Sequence, residues 1–236
     1  MKNLKRLLFL LIIAFIPFLL VGCSQEEKLE KALDELEIGN YTMDGEIVID
    51  IDATYQGQSI NQTQKAKYVI ESEKSKSLTK MTINNISQIM FSKMEDNKVK
   101  VYQKQGIYWT LSETMSLEEY EDEYDDFSEV YDIDVENNFQ LIDDEWVGDG
   151  EKITAMLDDY LDKLAEESLG AGADLGNLKI DEYKIKMVDN KIDSISMVMS
   201  VSTTMQGIKM EMTMTMKMNF SKIGETKVEE PTSLPE

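Results

Sequence analysis

Apolar and polar side chains alternate over residues 208–220, and this period of two constrains the fold more than any other feature of the chain. The apolar positions of that stretch are Met210, Met212, Met214, Met216 and Met218. Successive side chains of a β-strand point to opposite faces, so these five thioethers project to one side. The same period continues over residues 179–188 and 191–204. The C-terminal third therefore predicts three strands.

Residues 41–111 show the same alternation of apolar and polar side chains. Residues 41–55 place Ile47, Ile49 and Ile51 between acidic residues, and residues 60–72 form a return strand. Asp96-Asn97 has the composition of a two-residue hairpin turn. Further strands are predicted at 77–83, 88–94, 98–103 and 107–111. Together these segments predict an antiparallel meander.

Three segments have helical periodicity instead. Residues 24–36 carry apolar side chains at steps of three and four, which predicts an amphipathic helix closed by Gly39. Ser116-Leu-Glu-Glu119 is a capping box before a helix with an acidic face, and a further helix is predicted from about 149 to 168. We therefore expect a helical insertion at about 116–169 within a single domain spanning 41–228, and a disordered tail at 229–236.

The N-terminus resembles a secretory leader. Lys2, Lys5 and Arg6 precede residues 7–20, which are apolar apart from Pro17. Fourteen helical residues reach only about 21 Å, short of the roughly 30 Å hydrocarbon core that a permanent span must cross. We therefore expect residues 1–22 to be a removed leader.

Leu20-Val-Gly-Cys23 follows the leader and resembles the lipobox of bacterial lipoproteins. In those proteins a diacylglyceryl group is attached to the cysteine thiol, and cleavage makes that cysteine the new N-terminus. Cys23 is the only cysteine of the chain. The alternative is a free thiol near an ordinary cleavage site. We predict lipidation at Cys23, a lipidated N-terminus and first helix over 23–40, and a location at the extracytoplasmic face of the cell membrane.

The charge of the chain excludes one class of partner. The formal net charge is −22, and loss of residues 1–22 removes three of 24 basic and none of 46 acidic residues, which leaves −25. Nucleic acid is excluded because its binding requires clustered Lys and Arg. The same charge repels anionic lipid head groups, so membrane affinity has to come from the anchor.

The order of these segments resembles that of LolA/LolB/LppX-like lipoproteins. The resemblance covers most of residues 25–231 and includes Tyr41-Thr-Met-Asp-Gly45, Tyr108-Trp109-Thr110 and the segment 220–231. It implies an α+β fold, a curved and incompletely closed antiparallel β-barrel with helices packed on its concave face. Members of that family carry lipids or lipoproteins in the apolar hollow, but none of these motifs is a catalytic signature.

The methionine-rich strands suggest a site for a hydrophobic ligand. Unbranched, polarizable side chains make an adaptable apolar surface. Such a surface suits the acyl chain of a lipid or lipopeptide, which would contact Met197, Met199, Met212, Met214 and Met216. The alternatives are a filled core beneath the helices, and capture of Cu(I) by thioethers, which a dry face closed to ions disfavours.

Calcium binding and glycoside hydrolysis are less well supported by the sequence. Residues 106–151 hold seventeen Asp or Glu and no Lys or Arg. A calcium loop beginning at Asp132 would need Gly at its sixth and Glu at its twelfth position, where Asn137 and Asp143 stand. The acids of Asp143-Asp144-Glu145 could serve a glycosidase, but they are expected by chance at this acid content.

The chain has no histidine, and its one cysteine is expected to be lipidated, so Ser-His and Cys-His triads cannot form. We assign no catalytic residue, metal or cofactor and expect a non-enzymatic binding protein. The alternative function is a surface interaction or scaffold lipoprotein with a filled core, whose acidic helix around 118–126 recognises a protein or the cell wall.

Overall fold

The computed structural model describes residues 24–120, 135–156, 178–205 and 208–235. These residues form eleven strands, three helices and a further helical segment at 117–120. The strands are β1 (Tyr41–Tyr55), β2 (Gln58–Glu73), β3 (Lys76–Ile83), β4 (Ile86–Glu95), β5 (Lys98–Gln105), β6 (Tyr108–Ser116), β7 (Phe139–Ile142), β8 (Glu145–Gly148), β9 (Lys179–Val188), β10 (Lys191–Met205) and β11 (Ile208–Ser221). The helices are α1 (Gln25–Glu37), α2 (Val135–Asn138) and α3 (Gly150–Met156).

All eleven strands belong to one antiparallel sheet in the order β6-β5-β4-β3-β2-β1-β11-β10-β9-β8-β7. Strand β1 lies near the middle and pairs with β2 on one side and β11 on the other, over thirteen residue pairs with β11. The first and last strands of the domain therefore hold its two halves together. The sheet is open, because its order is linear and ends at β6 and β7. The prediction of an incompletely closed antiparallel sheet is confirmed at this level.

The tight turns follow from residue types that tolerate positive φ. Asp96 and Asn97 have φ of 54° and 57°, and Asp189 and Asn190 have φ of 52° and 60°. Positive φ at both central residues is typical of a type I′ turn, whose twist matches that of the flanking strands. The predicted turn between β4 and β5 is confirmed, and the turn between β9 and β10 has the same geometry.

The insertion at 116–169 is not helical throughout, which corrects the sequence prediction. It contains the hairpin of β7 and β8, and β8 pairs with β9, so the hairpin extends the sheet. Two four-residue strands are too short to show a clear period of two. The turn between them, Asp143-Asp144 with φ of 50° and 65°, was the only local signal. Residues 117–120 are helical, but most of both helices predicted in this insertion lies outside the described residues.

Helix α1 forms as predicted and covers part of the sheet. Ser24 and Glu27 form a capping box, with reciprocal hydrogen bonds of 3.0 and 3.1 Å. Its apolar stripe is buried in one cluster with side chains of β9 and β10. The stripe consists of Leu29, Ala32, Leu33 and Leu36. Gly39, with φ of 74°, lets the chain turn from this helix into β1.

The capping box at Ser116 is also confirmed. The Ser116 N–H and hydroxyl donate to Glu119 Oε2 at 2.8 and 2.9 Å, and the Glu119 N–H donates to Ser116 Oγ at 3.1 Å. The backbone N–H of Ser116 and then its hydroxyl hold the pKa of the Glu119 carboxyl below its ordinary value. Within the described ranges, no helix has the length and hydrophobicity that a membrane span requires.

The C-terminal residues differ from the expected disordered tail, because side chains of residues 222–235 pack against the sheet. Val228 is buried with Phe91 and Tyr102, and Leu234 packs against the same cluster. The Val228 N–H donates to Glu73 at 2.9 Å. The polar composition of the segment conceals these contacts, since few of its side chains are apolar. Ile223 is also buried, in the main cluster.

Lys93 ties this segment to the sheet and gives a prediction about pH. It lies 3.1 Å from both Glu230 and Glu95, and hydrogen bonding to Glu230 and then Glu95 raises the pKa of Lys93. Hydrogen bonding to Lys93 lowers the pKa of Glu95. The stabilisation is therefore present at neutral pH. It is lost as pH rises through the folded pKa of Lys93 above 10.5, and as pH falls through that of Glu95 below 4.5.

Replacing Lys93 with Gln should accordingly lower the free energy of unfolding most between those limits. Urea unfolding of wild type and variant across the pH range measures the difference. Lys80→Gln, at an exposed lysine of β3, is the matched control. A Lys93 effect that stays constant from acid to alkaline pH would contradict this role of the ion pairs.

Candidate functional site: the methionine face and its cleft

The strand register brings the predicted ligand residues together on one face of the sheet. We call the side that carries Met210, Met212, Met214, Met216 and Met218 the methionine face. Residues directly opposite one another in paired strands share a face. Met216 lies opposite Met197 and Ile47, and Met214 lies opposite Met199 and Ile49. Met212 lies opposite Ile51 and Val201. Three successive rows of apolar side chains therefore cross β1, β11 and β10.

The other face of the same strands is polar, which explains the alternation in sequence. Thr213 lies between Asp50 and Ser200, and Glu211 lies between Asp52 and Ser202. Thr63 also donates a hydrogen bond of 2.5 Å to Asp50 on this face. The two faces of β11 thus have opposite solvent preferences, and the period of two fixes which residues belong to each.

The five predicted residues are half-buried rather than sealed in a core. Met197, Met199, Met212, Met214 and Met216 all have intermediate exposure. In contrast, Ile185 and Ile195, farther along the same face, have exposed fractions of 0% and 2%. Met197 and Met199 pack against the buried cluster that contains these isoleucines. The face therefore passes from a closed core near α1 to a more accessible apolar surface along β11.

The Tyr68 ring lies over Gly45, beside Met218 on the methionine face. A Cβ atom at Gly45 would overlap the Tyr68 ring and the carbonyl oxygen of Lys217, so only glycine allows the ring to lie there. Gly45 is paired with both Met218 and Tyr68, and the tyrosine is 8% exposed. The ring marks the boundary between the methionine rows and the cleft beyond them.

A cleft of about 460 Å³ opens on the methionine face where β1 begins and β11 ends. Its apolar wall includes Met43, Ile70, Met218 and Phe220. Met43 lies opposite both Phe220 and Ile70, so these side chains form one further row across the face. Met218 belongs to both the methionine row and the cleft, which makes the two surfaces continuous.

The rim of the cleft is polar. It includes Ser72, Lys74, Ser77 and Ser92, contributed by β2, the β2–β3 turn, β3 and β4. The side-chain oxygens of Ser77 and Ser92 are 2.7 Å apart and share a hydrogen bond. Sequence reasoning missed this cleft because α1, the first five strands and β11 all contribute to it, and no local motif marks it.

Potential metal ligands and the two tryptophans were also located in the structure. No group of three or more acidic, cysteine or histidine side chains placed to hold a metal ion occurs among the described residues. Asp132, Asp134 and Cys23 lie outside them. Trp146 is 3% exposed in the main cluster, and Trp109 packs against Phe91.

Comparisons with known proteins give no assignment. No family model matches the chain, and no curated protein matches it. Among solved structures, the ywiB protein from Bacillus subtilis is similar at 8% identity and a TM-score of 0.22, covering 78% of this chain and 96% of its own. A DUF1329 family protein from Desulfovibrio piger has the same identity and TM-score, with 86% and 92% covered. At these TM-scores neither likeness supports an argument about fold or function.

The assignment of the two faces can be tested with a matched pair of substitutions. Met214→Lys introduces a charge among apolar neighbours and should lower the free energy of unfolding by about 1–3 kcal/mol. Thr213→Lys, one residue away beside Asp50, should change it by no more than about 0.5 kcal/mol. Urea unfolding at neutral pH measures both. Equal effects of the two lysines would show that the faces are wrongly assigned.

Proposed function

We propose that the protein is a non-enzymatic lipoprotein of the extracytoplasmic membrane face that binds a hydrophobic ligand on its methionine face. The ligand is a lipid or lipopeptide whose acyl chain contacts Met197, Met199, Met212, Met214 and Met216. The observation that supports this most strongly is the continuity between these half-buried methionines and the cleft at Met218.

The dimensions suit an acyl chain. Met212 to Met218 covers six residue steps, or about 20 Å of strand. The hydrocarbon core of a bilayer is about 30 Å thick and holds two chains end to end, so one chain needs about 15 Å. The cleft volume of about 460 Å³ also falls within the range of roughly 300–1,000 Å³ that is typical of small-molecule sites.

Burial of the acyl chain supplies the main favourable term in binding. Each methylene transferred from water to an apolar environment contributes roughly 0.8 kcal/mol. About ten buried methylenes would contribute ~8 kcal/mol, from which the lost freedom of the associating molecules subtracts about 4 kcal/mol or more. Methionine suits this role because its flexible thioether adapts to chains of different shape.

A paired double substitution tests the site. Met199 and Met214 lie opposite each other on the methionine face, and Ser200 and Thr213 lie opposite each other on the polar face. Met199→Gln with Met214→Gln should weaken binding of a fluorescent fatty acid at least about tenfold, because two polar amides replace the apolar contact. Ser200→Gln with Thr213→Gln should leave binding unchanged.

Fluorescence titration of the chain from Ser24 onward, which contains every described helix and strand, measures this binding. Circular dichroism checks that all variants are folded. If the unmodified chain takes up no fatty acid, the proposal is wrong and the filled-core scaffold function replaces it.

The anchor is a separate part of the proposal. Cys23 directly precedes Ser24, the N-cap of α1, so the lipid would hold the sheet close to the membrane through a folded helix. Metabolic labelling with radioactive palmitate should mark the wild-type protein, and Cys23→Ala should abolish the label and release the protein from the membrane fraction. Cys23→Ala protein that stays membrane-bound, together with unlabelled wild type, would contradict lipidation.

A further inference from the structure

We infer that the cleft binds the anionic head group of the ligand, a carboxylate or phosphate, while the acyl chain lies on the methionine face. This inference rests on the proposed function and specifies the ligand as an anionic amphiphile. It depends on two features of the cleft: a row of hydroxyl groups, and a lysine that forms no ion pair with a carboxylate of the described residues.

The hydroxyl groups form a row across three neighbouring strands. Ser72 lies opposite Ser77, and Ser77 lies opposite Ser92, so all three side chains are on the methionine face. All three are half-buried and line the cleft. The row is two residues along β2 from Ile70 in the apolar wall. Hydroxyl groups placed beside an apolar wall can donate hydrogen bonds to an oxyanion whose chain contacts that wall.

Lys74 supplies the charge. It is exposed in the turn between β2 and β3 and lines the cleft. It forms no ion pair with any carboxylate of the described residues, whereas the neighbouring Lys76 and Lys93 both pair with Glu230. Glu73 also lines the cleft, but it projects to the face opposite the serine row, where its carboxylate accepts the N–H of Val228. Lys74 is therefore the cation at this rim that remains available to a ligand.

The other lysines near the cleft project away from it. Residues 65–104, which run from β2 to β5, contain nine lysines. The strand register directs eight of them to the face opposite the methionine face, and Lys74 lies in the turn between β2 and β3. The cleft thus combines the charge of Lys74 with the hydrogen-bond donors and the apolar wall.

Paired ligands that differ only in head-group charge test this inference. Binding of a fluorescent fatty acid and of its methyl ester is measured on the chain from Ser24 onward, at about pH 8, where the carboxyl group is ionised. The acid should bind about tenfold more tightly than the ester, the effect of one charge-assisted hydrogen bond. Lys74→Glu should remove this preference and leave ester binding unchanged.

Lys80→Glu is the matched control, because Lys80 is exposed on β3 and is absent from the cleft. An equal loss of preference in Lys80→Glu would show that diffuse charge, and not the cleft, selects the acid. Acid and ester that bind equally to the unmodified chain would overturn this inference and leave acyl-chain binding intact. If neither ligand binds, the proposed function fails and the inference fails with it.

A second pair of ligands distinguishes the sources of the anion. Lysophosphatidic acid that binds more tightly than monoacylglycerol would extend the site to phosphate head groups. Inorganic phosphate should displace neither lipid, because it lacks the chain that contacts the methionine face. Phosphate that binds at this cleft as tightly as the lipids would show a site for the free anion. That result would overturn the inference that the ligand is an anionic amphiphile.

Discussion

The pairing of β1 with β11 is the constraint on which the rest of the structure depends. These strands are separated by most of the chain, yet thirteen residue pairs align them. A shift of one residue would move every methionine of β11 to the polar face. The alternation of Met with Thr, Lys and Glu in β11, and of Ile with Asp and Glu in β1, makes that shift costly. One register thus joins the two halves of the sheet and assembles the methionine face.

The methionine face follows from this register, and the cleft follows from the places where the strands end. Strands β1 and β11 continue past Gly45 toward α1, where β2, β3 and β4 each add a serine to the cleft. The Tyr68 ring, held against Gly45, lies at the junction of the two regions, which Met218 joins. The apolar surface and the polar rim are therefore successive parts of one face, as a site for an amphiphile requires.

Much of this fold could be predicted from sequence because its long strands have a clear period. The bounds predicted for β1, β9 and β10 agree with the structure within one residue. The hairpin of β7 and β8 could not be predicted, since four-residue strands give too few alternations. The tail was misjudged because two apolar side chains, Val228 and Leu234, and the ion pairs of Glu230 hold a largely polar segment.

Only part of the candidate site could be predicted from the sequence. Alternation alone placed Met212, Met214 and Met216 on one side of β11, and the register added Met197 and Met199 from β10. The cleft depends on side chains from seven elements, so no local pattern reveals it. Ser72, Ser77 and Ser92 stand on three different strands and become a row only when those strands pair.

The central claim is that an apolar ligand occupies the methionine face in the cell. Native mass spectrometry of the protein purified from its own membrane, with the anchor removed by cleavage after purification, measures this most directly. The account predicts a population heavier than the polypeptide by the mass of one lipid or lipopeptide, which dissociates on activation. Bare polypeptide alone, under conditions that retain a lipid on a known carrier, would contradict it.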